Sequence, residues 1–235
     1  NPMSLEDVQT IIQNAASMER ALSVATKDRL ISNGTDPDLE EYYAFGNQKV
    51  TISDEFDEVS RGEVYQLLMA CRKEEYAQVL QNTQEAKITS WWDRAVDIIP
   101  AGGGKGTGIS KMLEYYGIDR SQAMAFGDGN NDIEMFQAVD MGVAMENAVL
   151  PLRKAADYIT LSNNEDGVAH VVEQARALGM SRPGILAHGG TLMSAMSGFA
   201  VPHQDFYSWL PSNCGGYLVR VEEGKELAFT LLETL

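Results

Sequence analysis

Cysteine is scarce in this sequence, and its scarcity excludes two kinds of scaffold. The 235 residues include only Cys71 and Cys214, which lie far apart and form no Cys-x-x-Cys pair. Disulfide frameworks and zinc sites require clustered cysteines or histidines, so we expect neither of them.

Long apolar runs and targeting segments are also lacking. No stretch of about 18 apolar residues could cross a membrane as a helix. The start of the chain has no basic region followed by an apolar one, so no signal peptide is predicted. These absences favour a cytoplasmic protein. Position 1 is Asn rather than an initiator Met, and we expect the chain to begin inside a longer parent sequence.

Basic side chains are few relative to acidic ones. Eighteen Lys and Arg against 34 Asp and Glu give a formal net charge of −16. Surfaces that bind nucleic acids or anionic membranes need basic patches, so we expect neither kind of partner. The hydrophobic fraction of 44% is ordinary for a globular protein and is enough for a sizeable core.

The first of three segments, residues 1–95, has an α+β pattern with no obvious catalytic group. A helix start at Ser4 is predicted from the helical spacing of Leu5, Val8 and Ile11. The other predicted elements are strands over 49–53 and 64–71, a helix over 73–83, and a hairpin of 86–92 with 95–99.

The second segment, residues 96–180, alternates short apolar strands with helices. The predicted strands are 123–126, 142–145 and 158–161, and the predicted helices are 106–116, 131–139, 148–156 and 167–178. This alternation indicates a parallel, doubly wound sheet. In such sheets ligands bind beyond the carboxyl ends of the strands.

The third segment, residues 181–235, begins in a linker-like stretch. A strand is predicted over 185–187, followed by a helix to about Phe199. The runs 217–221 and 226–232 are predicted to pair around a turn.

The sharpest chemical motif is the string Phe126-Gly127-Asp128-Gly129-Asn130-Asn131-Asp132. An apolar strand delivers Asp128 at its carboxyl end, and Asp132 follows at the start of a helix. Two carboxylates so placed can face one point and supply the hard oxygen ligands that Mg²⁺ prefers. The alternative is an Asp- and Asn-rich helix cap without a metal.

A second motif, Gly102-Gly103-Gly104-Lys105-Gly106, precedes a predicted helix. Its backbone N–H groups and the Lys105 charge can bind an anion. It is not a Walker A loop, because Ile99 and Gly106 stand where that loop needs Gly and Ser or Thr. The alternative is a flexible connection with a solvated lysine.

Together these motifs resemble the haloacid dehalogenase superfamily, and more narrowly its Cof-type (subclass IIB) sugar phosphatases. The resemblance covers residues 1–178. The matching strings are Lys105-Gly106-Thr107, 127–132, 142–148 (Gly-Val-Ala-Met-Glu-Asn-Ala), 156–160 (Ala-Asp-Tyr-Ile-Thr) and 164–168 (Asn-Glu-Asp-Gly-Val).

The resemblance implies an α/β fold: a partial Rossmannoid parallel sheet, an α+β C2-type cap formed by residues 1–95, and a short C-terminal α/β segment. It also implies Mg²⁺-dependent hydrolysis of a small phosphorylated metabolite, such as a sugar phosphate, through an aspartyl-phosphate. Lys105 would stabilise the phosphoryl oxygens, and Asp128 would hold Mg²⁺. Asp132 would bind the metal or orient its waters, and Asn131 would contact the phosphate or those waters.

The sequence departs from the family at the nucleophile, which lies there on an apolar strand ending in Asp-x-Asp ahead of the cap. Asp36-Pro37-Asp38 has that spacing but follows a turn, so we do not expect it to attack phosphorus. Two interpretations remain open: a longer parent supplies the nucleophile, or the chain is a catalytically inactive or regulatory phosphate-binding remnant. The phosphorylation domain of an ion-pumping ATPase shares a similar string, but the lack of an apolar span and the cap-like first segment disfavour it.

The third segment has a resemblance of its own. The strings 185–191 (Ile-Leu-Ala-His-Gly-Gly-Thr) and Asn213-Cys214-Gly215 resemble the C-terminal part of the histidine phosphatase family. That resemblance implies that His188 contacts a phosphoryl group. The Arg-His-Gly string with that family's nucleophile is absent, so we expect no activity from this segment alone. His170 is expected to pack on a helix and His203 to lie in a loop.

Overall fold

A computed structural model describes residues 1–177, 184–187, 216–220 and 228–232 of the chain. The structure divides into two compact units, Asn1–Gly104 and Lys105–Leu235. The subdivision into 1–95, 96–180 and 181–235 stays a prediction.

The first unit is built on a five-stranded antiparallel sheet in the order β2-β1-β3-β5-β4. Its strands are β1 (Leu22–Ala25), β2 (Leu30–Ser32), β3 (Gln66–Ala70), β4 (Ala86–Ser90) and β5 (Ala95–Pro100). Its helices are α1 (Leu5–Ser17), α2 (Pro37–Phe45), α3 (Phe56–Val59) and α4 (Tyr76–Val79).

Strand alternation divides the apolar side chains of this sheet between two clusters, because successive residues of a strand point to opposite faces. In β3, Leu67 and Met69 join Val8 and Ile11 of α1 in the larger cluster. Ala70 joins the cluster formed with Leu39, Tyr42 and Tyr43 of α2. The sheet is therefore covered by apolar contacts on both faces.

Several predicted elements of the first segment are confirmed. Helix α1 begins after Ser4, whose hydroxyl accepts a hydrogen bond from the backbone N–H of Asp7 at 3.1 Å. The hairpin is β4 paired with β5.

The predicted strand over 49–53 is wrong, since only Ile52 forms an isolated bridge, to Ser32. The predicted helix over 73–83 is reduced to a 3-10 turn, Lys73–Glu75, and to α4.

The string Asp36-Pro37-Asp38 has a structural task, in agreement with its exclusion as a nucleophile. Asp36 caps α2: its carboxylate accepts the backbone N–H of Leu39 at 2.9 Å and that of Ala21 at 3.1 Å. Asp38 forms an ion pair with Arg20 at 3.1 Å. Both carboxylates hold the beginning of α2 in place.

The second unit contains a four-stranded parallel sheet in the order β8-β7-β6-β9, which confirms the predicted parallel architecture. Its strands are β6 (Ala123–Gly127), β7 (Met141–Ala144), β8 (Tyr158–Ile159) and β9 (Gly184–Ala187). Its helices are α5 (Lys105–Tyr116), α6 (Ile133–Ala138), α7 (Leu150–Ala155) and α8 (Gly167–Ala177).

Strand β6 lies in the middle of this core, and all five of its residues are buried. Phe126 is completely buried and shares one cluster with Ile109 of α5, Met135 of α6 and Leu152 of α7. A strand buried on both faces needs a continuous apolar run, which is why 123–126 could be identified from the sequence.

Two predictions for the third segment are confirmed where the structure describes it. The strand predicted over 185–187 is β9. The predicted pair is a separate two-stranded antiparallel sheet of β10 (Gly216–Arg220) and β11 (Ala228–Leu232). The predicted helix ending near Phe199 lies outside the described residues. Among those that are described, no helix is long and apolar enough to cross a membrane.

A buried carboxylate ties α1 to the chain just before β4 and provides a stability test. Asp7 is 1% exposed, and its two oxygens accept the backbone N–H groups of Gln84 and Glu85, each at 2.8 Å. We expect Asp7→Ala to lower the free energy of unfolding by about 3 kcal/mol, because two N–H groups lose a charged acceptor. Urea denaturation measures it.

The matched control is Glu6→Ala, which removes an exposed charge from the same first turn of α1. We expect it to change the free energy of unfolding by at most about 0.5 kcal/mol. Equal losses for the two variants would show that the charge near the helix start, rather than the buried hydrogen bonds, is responsible.

Candidate active site

The site is built at the carboxyl end of β6, where the chain leaves the sheet at Asp128. A 3-10 turn, Asn130–Asp132, leads directly into α6. Gly127 makes this tight return possible: a Cβ atom there would lie 2.6 Å from the Cβ of Asp132. Only glycine therefore lets the Asp132 side chain fold back against the end of the strand.

Asp132 organises the loop through both of its carboxylate oxygens. The side chain is completely buried. The backbone N–H groups of Asp128 and Gly129 donate to Oδ2 at 3.0 and 3.1 Å. The other oxygen, Oδ1, forms an ion pair with Nζ of Lys105. A carboxylate held by two N–H groups and a cation fixes the loop and the lysine together.

Asp128 occupies a different position. It is half-buried, and no described residue donates a hydrogen bond to its carboxylate. Its backbone is nevertheless fixed, because its carbonyl oxygen accepts the N–H of Val149 at 2.9 Å and the carbonyl of Gly127 accepts that of Met145 at 3.0 Å. The loop is thus held from two sides while the carboxylate stays available to a ligand.

Lys105 reaches this loop from the first residue of α5. The preceding Gly104 has a φ of 117°, a conformation that favours glycine. Gly106 allows a close helix approach, since a Cβ atom there would lie 2.6 Å from the carbonyl oxygen of Glu134 in α6. The lysine side chain keeps 31% of its surface exposed, so its charge is also open to an anion.

The structure therefore brings together Lys105, the backbone at Asp128, and Asp132. Asn131 lies in the same turn and is half-buried, with its Oδ1 beside Gly129. His188, the remaining predicted site residue, lies outside the described residues. His170 lies on α8 with its ring nitrogen 3.0 Å from the amide nitrogen of Gln174.

The sequence did not reveal how the family strings after residue 140 stabilise the parallel sheet. Asp157 accepts the backbone N–H of Gly142 at 2.8 Å, which ties the chain before β8 to β7. The buried hydroxyl of Thr160 donates to the carbonyl oxygen of Gly167 at 2.7 Å. Asp157 and Thr160 belong to the string 156–160, and their partners belong to the strings 142–148 and 164–168. The sequence showed these residues but not which of them pair.

A cysteine nucleophile can be excluded for the described part of the chain. Its one cysteine, Cys71, is buried, and desolvation raises the pKa of its thiol to about 12. The thiolate is the nucleophilic form, so a thiol that stays protonated at neutral pH is inert.

Comparison with known proteins now defines the family. A family model described as haloacid dehalogenase-like hydrolase matches residues 1–172. The chain belongs to this family of hydrolases. The match ends before the third segment, so its resemblance to histidine phosphatases stays a prediction.

Individual relatives agree with this assignment. YkrA of Bacillus subtilis (strain 168) is 39% identical over 112 residues, which are 48% of this chain and 43% of that protein. The 5-amino-6-(5-phospho-D-ribitylamino)uracil phosphatase YwtE of the same strain is 36% identical over 95 residues, 40% of this chain and 33% of the enzyme. The chain thus aligns with less than half of either relative.

Among solved structures, the subclass IIB sugar phosphatase BT4131 is 26% identical with a TM-score of 0.68. The alignment covers 77% of this chain and 68% of that one. The family match and the structural neighbours together establish a haloacid dehalogenase-like family member with a Cof-type fold.

The close approach at Gly106 gives the second stability test. We expect Gly106→Ala to destabilise the protein by about 1–3 kcal/mol, because the added methyl group meets a backbone carbonyl that cannot move without shifting α6. Gly108→Ala is the matched control on the same helix, with no described atom within 4 Å of the new Cβ. It should be neutral or stabilise by up to about 1 kcal/mol. Urea denaturation of both variants checks this, and equal effects would contradict the packing argument.

Proposed function

We propose that this chain carries the cap and the metal- and phosphate-binding half of a Mg²⁺-dependent phosphatase for a small phosphorylated metabolite. The observation that supports this most is the Asp132 carboxylate, which holds Lys105 and the Asp128 loop together at the carboxyl end of β6. The attacking aspartate would come from outside these 235 residues.

The residues present suit Mg²⁺. No cluster of three or more acidic, His or Cys side chains that could cage a metal is found among the described residues. Mg²⁺ does not need such a cage, since one or two carboxylates with substrate phosphate and water usually hold it. We assign the direct contact to Asp128, whose carboxylate is not engaged by described donors, whereas both oxygens of Asp132 are. When bound, the ion would neutralise charge on the phosphoryl group.

Lys105 would supply a fixed positive charge for the phosphoryl oxygens. It stands at the first residue of a twelve-residue helix, whose terminal N–H groups favour an anion at the same point. Its ion pair with buried Asp132 holds the ammonium in place before a ligand arrives, so little reorganisation is needed on binding. Asn131, in the adjoining turn, would contact the phosphate or the waters of the metal.

The substrate class follows from the relatives rather than from the site. The neighbour BT4131 is described as a sugar phosphatase, and YwtE acts on a phosphorylated ribityl compound. We therefore assign a phosphomonoester of a sugar or a similar polyol. Residues 1–95 would act as the cap that selects the substrate.

A second candidate is a phosphate-binding remnant without turnover. It is favoured by the structural roles of Asp36 and Asp38, which leave no Asp-x-Asp nucleophile after a strand among the described residues. Hydrolysis of p-nitrophenyl phosphate by a longer parent chain, with and without Mg²⁺, separates the two. Absence of Mg²⁺-dependent turnover in that parent would rule out the enzyme.

Phosphate binding by the chain itself tests the proposed site. With Mg²⁺ present, we expect calorimetry to detect binding of inorganic phosphate, weakened at least about tenfold by Lys105→Met, because a charged contact is worth about 1.4 kcal/mol or more. Lys111→Met removes an exposed lysine from the same helix and should leave the affinity unchanged. Equal affinity of the two variants would refute a phosphate site at Lys105.

Replacing Asp132 or Asp128 should have different effects on protein stability and on the Mg²⁺ dependence of phosphate binding. We expect Asp132→Asn to lower the free energy of unfolding by about 3 kcal/mol, since it breaks a buried ion pair. Asp128→Asn should change stability by at most about 0.5 kcal/mol but abolish the Mg²⁺ dependence of phosphate binding. Asp140→Asn, at an exposed position, is the control. Retained Mg²⁺ dependence in Asp128→Asn would show that the metal is held elsewhere.

A further inference from the structure

The turn between β7 and α7, residues 145–149, holds the backbone from which the Asp128 side chain projects. Its first and last N–H groups, those of Met145 and Val149, donate to the carbonyl oxygens of Gly127 and Asp128 at 3.0 and 2.9 Å. No described residue donates a hydrogen bond to the carboxylate of Asp128 itself. The direction of that carboxylate therefore depends on how firmly the turn holds the backbone.

The base of this turn is buried, whereas its tip is exposed. Met145 and Ala148 are 1% and 7% exposed, and the N–H of Ala148 closes the turn on the carbonyl oxygen of Met145 at 2.9 Å. Glu146 and Asn147 form the exposed tip. Segments whose backbone lies in solvent open more readily than buried ones. The tip therefore needs an anchor of its own if the Val149 donor is to stay in place.

Asn147 provides such an anchor. Its side-chain Oδ1 accepts the backbone N–H of Asn163, in the segment that follows β8, at 3.1 Å. A second contact, from the N–H of Glu146 to the carbonyl oxygen of Leu161, is longer at 3.4 Å. The Asn147 side chain thus makes the shorter of these two links between the turn and the chain beyond β8.

The segment to which Asn147 is tied, residues 160–167, is closed on itself. The buried hydroxyl of Thr160 donates to the carbonyl oxygen of Gly167 at 2.7 Å, and the N–H of Gly167 donates to that of Ser162 at 3.2 Å. Gly167 also packs tightly, since a Cβ atom there would lie 2.1 Å from the carbonyl oxygen of Leu161. This segment is therefore a fixed point against which the turn can be held.

We propose that Asn147 is a positioning residue for the metal-binding carboxylate: through residues 145–149 it fixes the backbone of Asp128 and so the direction of its side chain. This inference rests on the proposed function. Residues that orient a metal ligand without touching the metal commonly change metal affinity by about 10- to 100-fold when they are replaced. The proposal gives a role to the string 142–148, which matches the family but contains no residue of the site itself.

Calorimetric titration of the full chain with inorganic phosphate at increasing Mg²⁺ concentrations tests this role. We expect Asn147→Ala to raise the Mg²⁺ concentration that half-maximally supports phosphate binding by about fivefold, as for one lost hydrogen bond. Phosphate affinity at saturating Mg²⁺ should stay within about twofold, because the contact with Lys105 is unchanged. Asn147→Asp keeps an oxygen acceptor for the N–H of Asn163 and should not raise the Mg²⁺ midpoint.

The same hydrogen bond can be removed from its other end. Asn163 is the first residue of a 3-10 turn, where proline fits, and Ser162 before it is extended, as proline requires. Asn163→Pro removes the N–H donor and should also raise the Mg²⁺ midpoint by about fivefold. Asn163→Ala keeps the donor and is the matched control. The double variant of Asn147→Ala with Asn163→Pro should be no weaker than either single variant, because both remove the same hydrogen bond.

Amide hydrogen exchange in the metal-free chain provides a measurement that involves no ligand. We expect exchange of the Val149 amide to accelerate by about fivefold in Asn147→Ala and in Asn163→Pro, because the turn opens more often. The amide of Phe126, in the buried strand β6, should be unaffected in both variants. A raised Mg²⁺ midpoint without faster exchange at Val149 would overturn the positioning role.

Failure of this role and failure of the proposed function give different results. An unchanged Mg²⁺ midpoint in Asn147→Ala, or equal midpoints in Asn163→Pro and Asn163→Ala, would overturn the role of Asn147. If Asp128→Asn still abolishes the Mg²⁺ dependence in that case, the proposed function stands. Absence of Mg²⁺-dependent phosphate binding in the unsubstituted chain would instead overturn the proposed function, and the role of Asn147 with it.

Discussion

The site of this protein depends on one buried carboxylate. Asp132 has no exposed surface, yet it carries a charge that must be compensated inside the fold. Lys105 and the N–H groups of Asp128 and Gly129 provide that compensation. Because these groups come from α5 and from the end of β6, a single side chain fixes the distance between the cationic and the acidic parts of the site.

Glycine is what makes such close assembly possible. Gly127 leaves room for Asp132 to fold back on the strand, and Gly106 lets α5 approach the backbone of α6. Neither needs an unusual backbone angle; both are needed because a methyl group would meet other atoms at 2.6 Å. Packing density therefore explains the glycines at positions 127 and 106, whereas Gly104 is favoured by its positive φ.

The sequence predicted most of the local structure. Helical spacing after Ser4, the apolar run of β6 and the hairpin of β4 and β5 were recognised because each depends on residues near one another in the chain. Predictions failed where contacts with distant parts of the chain decide whether a segment forms a strand. Residues 49–53 have the pattern of a strand, but only Ile52 forms a bridge. Strands β1 and β2 and helix α2 were missed, since their short patterns are completed by partners elsewhere.

For the site, the sequence by itself determined the candidate residues. Lys105, Asp128, Asn131 and Asp132 belong to strings whose composition suits a phosphate and a hard cation. Only the tertiary structure decided which of the two carboxylates is bound by protein groups and which is available to a ligand. It engaged both oxygens of Asp132 with protein donors and left the Asp128 carboxylate without a described one. It also placed β9 beside β6. The N–H donors to Asp132 are only three or four residues away, but Lys105 is 27 positions away and the paired residues of β6 and β9 are 61 apart, and no local pattern encodes such contacts.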